Sequence, residues 1–262
     1  MIPQNNPLAN YLSHQAAIDL AIHQVSKSGS YILGEETAAF EREFAEYAGV
    51  KYAVGVGNGT EALHLALRAL GVGPGDEVIT VSHTAVATVA AIEMTGAEPV
   101  FADIDPNSFT IAPKEVEKAI TGRTKVILPV HLYGHPADLR PLLECAKQHD
   151  LYLLEDCAQA HGAVYHGRKV GSWGDAGAFS FYPTKNLGCL GDGGAVTTSS
   201  PELHERLLAL RQYGWDRKRI SLEPGFNSRL DELQAAILRV KLKYLNENNQ
   251  KRMGVARAYD QA

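Results

Sequence analysis

The sequence predicts an α/β domain: a mostly parallel central sheet flanked by helices. Two observations carry that expectation. Short apolar runs recur from Tyr52 onward, and a stretch of helical periodicity follows nearly every one. Turn signals separate them, as in Gly71-Val72-Gly73-Pro74-Gly75-Asp76.

Each element has its own justification. Ala16, Leu20, Ile22 and Val25 can line one face of a first helix that ends near Gly29. After Gly34, Phe40, Phe44 and Tyr47 recur at helical spacing and read as a core-facing stripe. Residues 52–56 form a strand, and Gly57-Asn58-Gly59-Thr60 leads into a helix over 61–70 with Leu63, Leu67 and Leu70 on one side. Strands are expected at 77–81, 98–101, 125–130 and 151–154, with helices at 85–94, 113–120 and 137–149. Strands at 178–181 and 195–198 precede a helix over 201–212. Residues 231–259 read as one long helix with Leu233, Ala236, Ile237, Val240 and Leu245 on its apolar side. The division is an N-terminal segment 1–30, a large domain 31–225 and the helix-bearing segment 226–262.

Composition removes several function classes. The chain has 262 residues and a formal net charge of −5, so no global basic field serves nucleic acid. Cys145, Cys157 and Cys189 are well separated, which fits a reducing compartment, and no His/Cys cluster has zinc spacing, so no metal is expected. The start, Met1-Ile2-Pro3-Gln4-Asn5-Asn6, lacks the pattern of a signal peptide, and no apolar run is long enough to span a membrane. Together these point to the cytoplasm.

Three features fall at one end of the expected sheet. Glycines at 57 and 59 before a helix let backbone approach a ligand, and free N–H groups at the helix start attract an anion; the competing reading is an ordinary N-cap at Thr60. Asp156 closes the strand at 151–154, where ligands sit in open parallel sheets, with Gln159 and His161 nearby; it could equally be a structural carboxylate. Lys185 stands alone in the loop Phe181-Tyr182-Pro183-Thr184-Lys185-Asn186-Leu187-Gly188, just after a buried strand; a surface turn is the alternative. A phosphate cradle, a carboxylate and an imine-forming lysine are together what pyridoxal phosphate requires.

The chain resembles the DegT/StrS family of pyridoxal-phosphate sugar aminotransferases, of the aspartate aminotransferase fold type (fold type I). The matching stretches include Gly57-Asn58-Gly59-Thr60-Glu61-Ala62-Leu63, Glu155-Asp156-Cys157-Ala158-Gln159-Ala160-His161-Gly162, the lysine loop, and Asn227-Ser228-Arg229-Leu230-Asp231-Glu232-Leu233. The resemblance implies that Lys185 holds the cofactor through an imine and shuttles the proton. It implies that Asp156 meets the pyridine nitrogen and Gln159 the ring hydroxyl, and that Gly59, Thr60, Glu61 and Ser180 surround the phosphate. Asn227 would reach the phosphate of the neighbouring subunit, which makes the active site a property of a homodimer. The substrates implied are a nucleotide-linked keto sugar and an amino donor, glutamate.

The lysine loop is also similar to enzymes that aminate C-3 of a 6-deoxyhexose, with Tyr182 placed to touch the sugar; those acting at C-4 more often carry a His there. Two departures stand out. Ala85 occupies the place of an aromatic that stacks on the cofactor ring, so His83 is the candidate replacement. The family's small C-terminal domain is largely missing, so a truncated, non-catalytic remnant or regulator is the competing reading, alongside specificity for a C-4 ketone.

Overall fold

The computed structural model describes residues 5–261; the part of the N-terminal stretch read above for a signal peptide that spans residues 1–4 lies outside them. The chain opens with two helices, α1 (Pro7–Leu12) and α2 (Gln15–Ser28), and α3 (Glu35–Ala48) follows. Both α2 and α3 stop at a glycine in the left-handed region, Gly29 and Gly49, where a side chain would be strained. Alternation then begins: β1 (Tyr52–Val56), α4 (Gly59–Ala69), β2 (Glu77–Val81), α5 (Val86–Glu93), β3 (Glu98–Ala102), α6 (Pro113–Ala119), β4 (Thr124–Ile127), α7 (Leu139–Gln148) and β5 (Tyr152–Asp156). A small hairpin, β6 (Val164–Tyr165) with β7 (Arg168–Lys169), precedes β8 (Ala176–Ser180) and β9 (Gly194–Thr198). Helices α8 (Pro201–Leu210), α9 (Glu232–Leu242) and α10 (Leu245–Asp260) complete the described chain.

Seven strands form one sheet in the order β1-β9-β8-β5-β4-β2-β3. β8, β5, β4, β2 and β3 pair in parallel, whereas β9 is antiparallel to both β8 and β1. β9 is therefore the one strand of this sheet that runs against the rest. Its connection from β8 contains no helix, and parallel neighbours need a longer crossover than that loop supplies. The carboxyl ends of β1, β5 and β8 share an edge with the start of β9, as Val56 and Ser180 both pair with Gly194. The buried stripe of α3 meets the sheet through Phe44, whose ring lies edge-on to Phe179 at 5.0 Å and to Phe181 at 5.3 Å.

The single helix expected over 231–259 is two helices. The chain tightens at Lys243–Tyr244, where Tyr244 N–H bonds Lys241 C=O. Tyr244 stacks on His14 at 4.1 Å between ring centroids, and Leu245 is pulled into the core. Helix α9 packs on α2 and α3, and its Glu232 carboxylate accepts the N–H groups of Gly34, Glu36 and Thr37, capping α3 from a distance. No helix of the described residues is long and apolar enough to cross a membrane.

Candidate active site

The lysine loop is shaped by what precedes it. β8 carries Ala178 and Phe179 into the core, and Phe181 follows them. The chain then turns: Lys185 N–H donates to Tyr182 C=O at 2.8 Å, and a Cβ on Gly188 would lie 2.6 Å from Pro183 O. Gly188 lets the loop fold back on itself and hold Lys185 half-buried. Lys185 lines a cavity of about 450 Å³ together with Asn58, Gly59, Thr60, Asp156, Ser180 and Tyr182. Burial lowers the Lys185 pKa, and the Asp156 charge opposes that shift.

Asp156 closes β5 and is 5 % exposed. Its Oδ1 accepts Ala158 N–H at 3.1 Å and its Oδ2 accepts the Thr88 hydroxyl at 2.9 Å. Burial raises its pKa; those two hydrogen bonds and the Lys185 charge pull the other way.

The helix start differs from the expected cap at Thr60. Asn58 is the N-cap of α4: its Oδ1 accepts Glu61 N–H at 2.9 Å, and its carbonyl accepts Ala62 N–H. This leaves the N–H groups of Gly59 and Thr60 without a protein acceptor among the described residues, both on the cavity wall. A Cβ on Gly59 would lie 2.5 Å from Ser180 Cβ, so glycine brings the helix start against β8 and its hydroxyl. Two free amides and a hydroxyl at a helix N-terminus suit a phosphate. Glu61 also lines the cavity, but its N–H is already taken, and its buried Oε2 has no partner.

Three expected residues lie elsewhere. Gln159 lines a second cavity, of about 410 Å³, with His161, Asn186, Asn249 and Arg252. Its Oε1 accepts Tyr133 N–H at 2.9 Å, which leaves its amide N–H₂ free. His83 is not on the wall of the lysine cavity and packs beside Tyr133 and Phe109, whereas Ala85 is on that wall. Asn227 is exposed, pairs with Gln212 in an isolated bridge, and is not on the cavity wall.

The sequence reading missed Thr88 and Asp192. Thr88 meets the site only through Asp156, which is distant in the chain, and Asp192 stands among glycines with no local signal that marks a cavity wall. One buried cluster, His131, Glu155 and Cys157, gathers groups able to bind metal. Its carboxylate and imidazole are already committed: Glu155 accepts the N–H groups of Gly171, Trp173 and Gly174, and His131 sits 3.1 Å away. His131 Nδ1 accepts Ala137 N–H, so its proton is on Nε2 and points at Glu155. The cluster is a hydrogen-bonded brace.

Comparison with known proteins supplies the family. The profile of the DegT/DnrJ/EryC1/StrS aminotransferase family matches residues 13–262. The chain is 53% identical over 251 residues to the dTDP-3-amino-3,4,6-trideoxy-alpha-D-glucose transaminase of Streptomyces venezuelae, covering 96% of this chain and 66% of that protein. It is 53% identical over 248 residues to the dTDP-3-amino-3,6-dideoxy-alpha-D-galactopyranose transaminase of Aneurinibacillus thermoaerophilus, covering 95% and 68%. The crystal structure of S. venezuelae DesV in complex with a ketimine intermediate superposes with a TM-score of 0.96 at 52% identity, covering 98% of this chain and 70% of that one. The chain thus spans about two thirds of the length of the curated relatives it matches.

Proposed function

The chain belongs to the DegT/DnrJ/EryC1/StrS aminotransferase family, of the fold of pyridoxal-phosphate sugar aminotransferases, and on that premise we propose that the protein moves an amino group from glutamate onto C-3 of a nucleotide-linked 6-deoxy keto sugar. The observation that carries the reading is one cavity holding Lys185, Asp156 and the free amides of Gly59 and Thr60. Pyridoxal phosphate, when bound, supplies an aldehyde for the amine and a ring that accepts electrons. The residues present fit it. The Gly59 and Thr60 amides and the Ser180 hydroxyl would hold the phosphate, with Glu61 beside them. Asp156 would accept the pyridinium N–H; Gln159, on the wall of the neighbouring cavity, would have to turn its free amide toward the ring to donate to the ring hydroxyl. Lys185, whose pKa is lowered by burial, carries a proton to and from the reacting carbon as its free amine.

Position C-3 is supported by the relatives named for 3-amino sugars and by Tyr182, which lines the cavity one turn from Lys185. The exposed Asn227 favours a homodimer in which each copy completes the other's phosphate site. The ring face falls to Ala85 on the cavity wall, with His83, beside Tyr133 and Phe109, as the candidate for the missing aromatic. Three buried free cysteines support a cytoplasmic setting.

The test loads the protein with pyridoxal phosphate and follows the visible band of a lysine-bound cofactor. Wild type should show the band and a borohydride-fixed adduct on Lys185, and turn over nucleotide-linked 3-keto sugars. Lys185→Ala should lose all three. A reducible adduct that survives in Lys185→Ala sinks the assignment.

A further inference from the structure

A short chain of hydroxyls stands behind the Asp156 carboxylate. Thr88 Oγ1 donates to Asp156 Oδ2 at 2.9 Å, and Thr84 Oγ1 lies 2.8 Å from Thr88 Oγ1. Thr88 is fully buried and sits in the first turn of α5, and Thr84 is half-buried just before that helix. A hydroxyl has one proton. With Asp156 ionised, the Thr88 proton must point at Oδ2, so the Thr84 proton must point at Thr88. The carboxylate charge fixes the direction of the whole chain.

Thr88 is also the one side chain among the described residues that hydrogen-bonds Asp156; the other donor is the backbone N–H of Ala158. Together they occupy one acceptor position on each oxygen and leave the remaining lone pairs toward the cavity. The same α5 start supplies Ala85 and Ala87 to the cavity wall. One helix thus sets both the wall and the orientation of the carboxylate.

We propose that Thr88, oriented by Thr84, is a positioning residue that aims the Asp156 carboxylate at the ring nitrogen of the bound cofactor. This rests on the reading of Asp156 as the partner of that nitrogen. The charged or titratable groups around Asp156 are His131 after β4, Tyr182 and Lys185 after β8, Asp192 before β9, Glu61 at the start of α4, Glu155 on its own strand and Cys157 just after it. α5 contributes hydroxyls instead. Without the Thr88 proton, the carboxylate keeps one donor against the same burial and takes up a proton more readily, so loss of cofactor should deepen as pH falls.

The experiment titrates cofactor-free protein with pyridoxal phosphate between pH 5.5 and 8.5 by quenching of intrinsic fluorescence, and records thermal unfolding of the cofactor-free chain. Thr88→Val should weaken binding about tenfold, the scale of a lost hydrogen bond to a charged group, with the loss growing toward low pH. Thr88→Ser should restore most of the affinity and the pH profile. Thr84→Val should weaken binding roughly threefold, as a partner one step removed. If Thr88→Val does not fold, Thr84→Val and Thr88→Ser carry the test. An unchanged pH profile in every variant that folds overturns the proposal, as does lowered stability with wild-type affinity, which is what a mere clamp between α5 and β5 would give. Asp156→Asn separates the two readings: if that variant binds and reports the cofactor like wild type, the assignment of Asp156 itself fails, whatever Thr88 does.

Discussion

Glu155 and Asp156 are consecutive carboxylates on β5, both buried, and a strand sends their side chains to opposite faces of the sheet. Glu155 receives three backbone N–H groups and the His131 ring, and neither it nor any of these donors lines the lysine cavity. Asp156 receives one amide and one hydroxyl, and it does open onto that cavity. Burial is the same; saturation is not. A buried carboxylate whose donors are complete is part of the frame, because its charge is already neutralised by the fold. One left with spare lone pairs facing open space is costly unless something arrives to use them. Counting donors therefore separates structure from function where burial and residue type cannot.

The sharpest way to break the comparison is to neutralise each carboxylate in turn. Asp156→Asn should cost catalysis most, roughly a thousandfold in turnover or about 4 kcal/mol, because the ring nitrogen loses its counter-charge. The same variant should leave the cofactor-free fold as stable as wild type or more so. Burial raises the Asp156 pKa, so its ionised form costs stability above that raised value, and the cost fades as pH falls toward the ordinary 3.8. The advantage of Asn over Asp in urea unfolding should thus be greatest near neutral pH and shrink in acid. An Asp156→Asn chain that unfolds more readily than wild type at pH 7 would place Asp156 with the frame.

Glu155→Gln should reverse the pattern. An amide offers one oxygen to four donors and turns its own N–H₂ against the rest. The expected loss is about 3 kcal/mol of stability, the scale of removing one partner from a buried charged network. Cofactor affinity per folded molecule should stay within a few-fold. Urea unfolding and a fluorescence titration on the same sample measure both; a cofactor defect without a stability defect would erase the distinction between the two residues.

Much of this site was legible in the sequence, and the boundary follows contact distance along the chain. Strand periodicity, the Asp156 position at a strand end and the glycines before α4 are local signals, and the cavity gathers Gly59, Thr60, Asp156 and Lys185, which they pointed to, with Ser180 and Tyr182, which only the family resemblance named. Asn58 with Glu61 three residues on has N-cap spacing, so the true cap could have been read where Thr60 was considered. The tight turn His166-Gly167, both at positive φ, likewise marks the β6–β7 hairpin. Other features leave no local trace. The Thr88–Asp156 bond, the Glu232 cap on α3 and the Tyr244–His14 stack that breaks the last helix all join distant segments, and only the fold brings them together.

His161 extends the comparison one step further along the same loop, to a polar group whose nearest polar neighbour, the Ser180 backbone, falls short of a well-formed hydrogen bond. It is 2 % exposed, neither ring nitrogen has a hydrogen-bond partner, and the rings of Phe179 and Phe181 lie 5.6 and 5.8 Å away. Burial, with the Lys185 charge adding to it, pushes its pKa down to about 3, and burial beside Arg68 takes His64 to about 4. The unfolded chain accepts a proton on each below the ordinary 6.5, while the folded chain refuses until much lower. Stability from this source is complete above pH 6.5 and drains as pH falls through 6.5 toward 3 and 4. By pH 5 each histidine should cost about 2 kcal/mol. His161→Leu keeps the apolar packing and cannot be protonated, so it should match wild type at pH 7.5 and recover about half of the acid loss at pH 5. Urea midpoints at the two pH values measure it, with His64→Leu as the companion variant. If His161→Leu loses stability at pH 5 as steeply as wild type, the imidazole takes up its proton in the folded chain, and His161 has a partner in solution that places it beside Asp156 rather than beyond it.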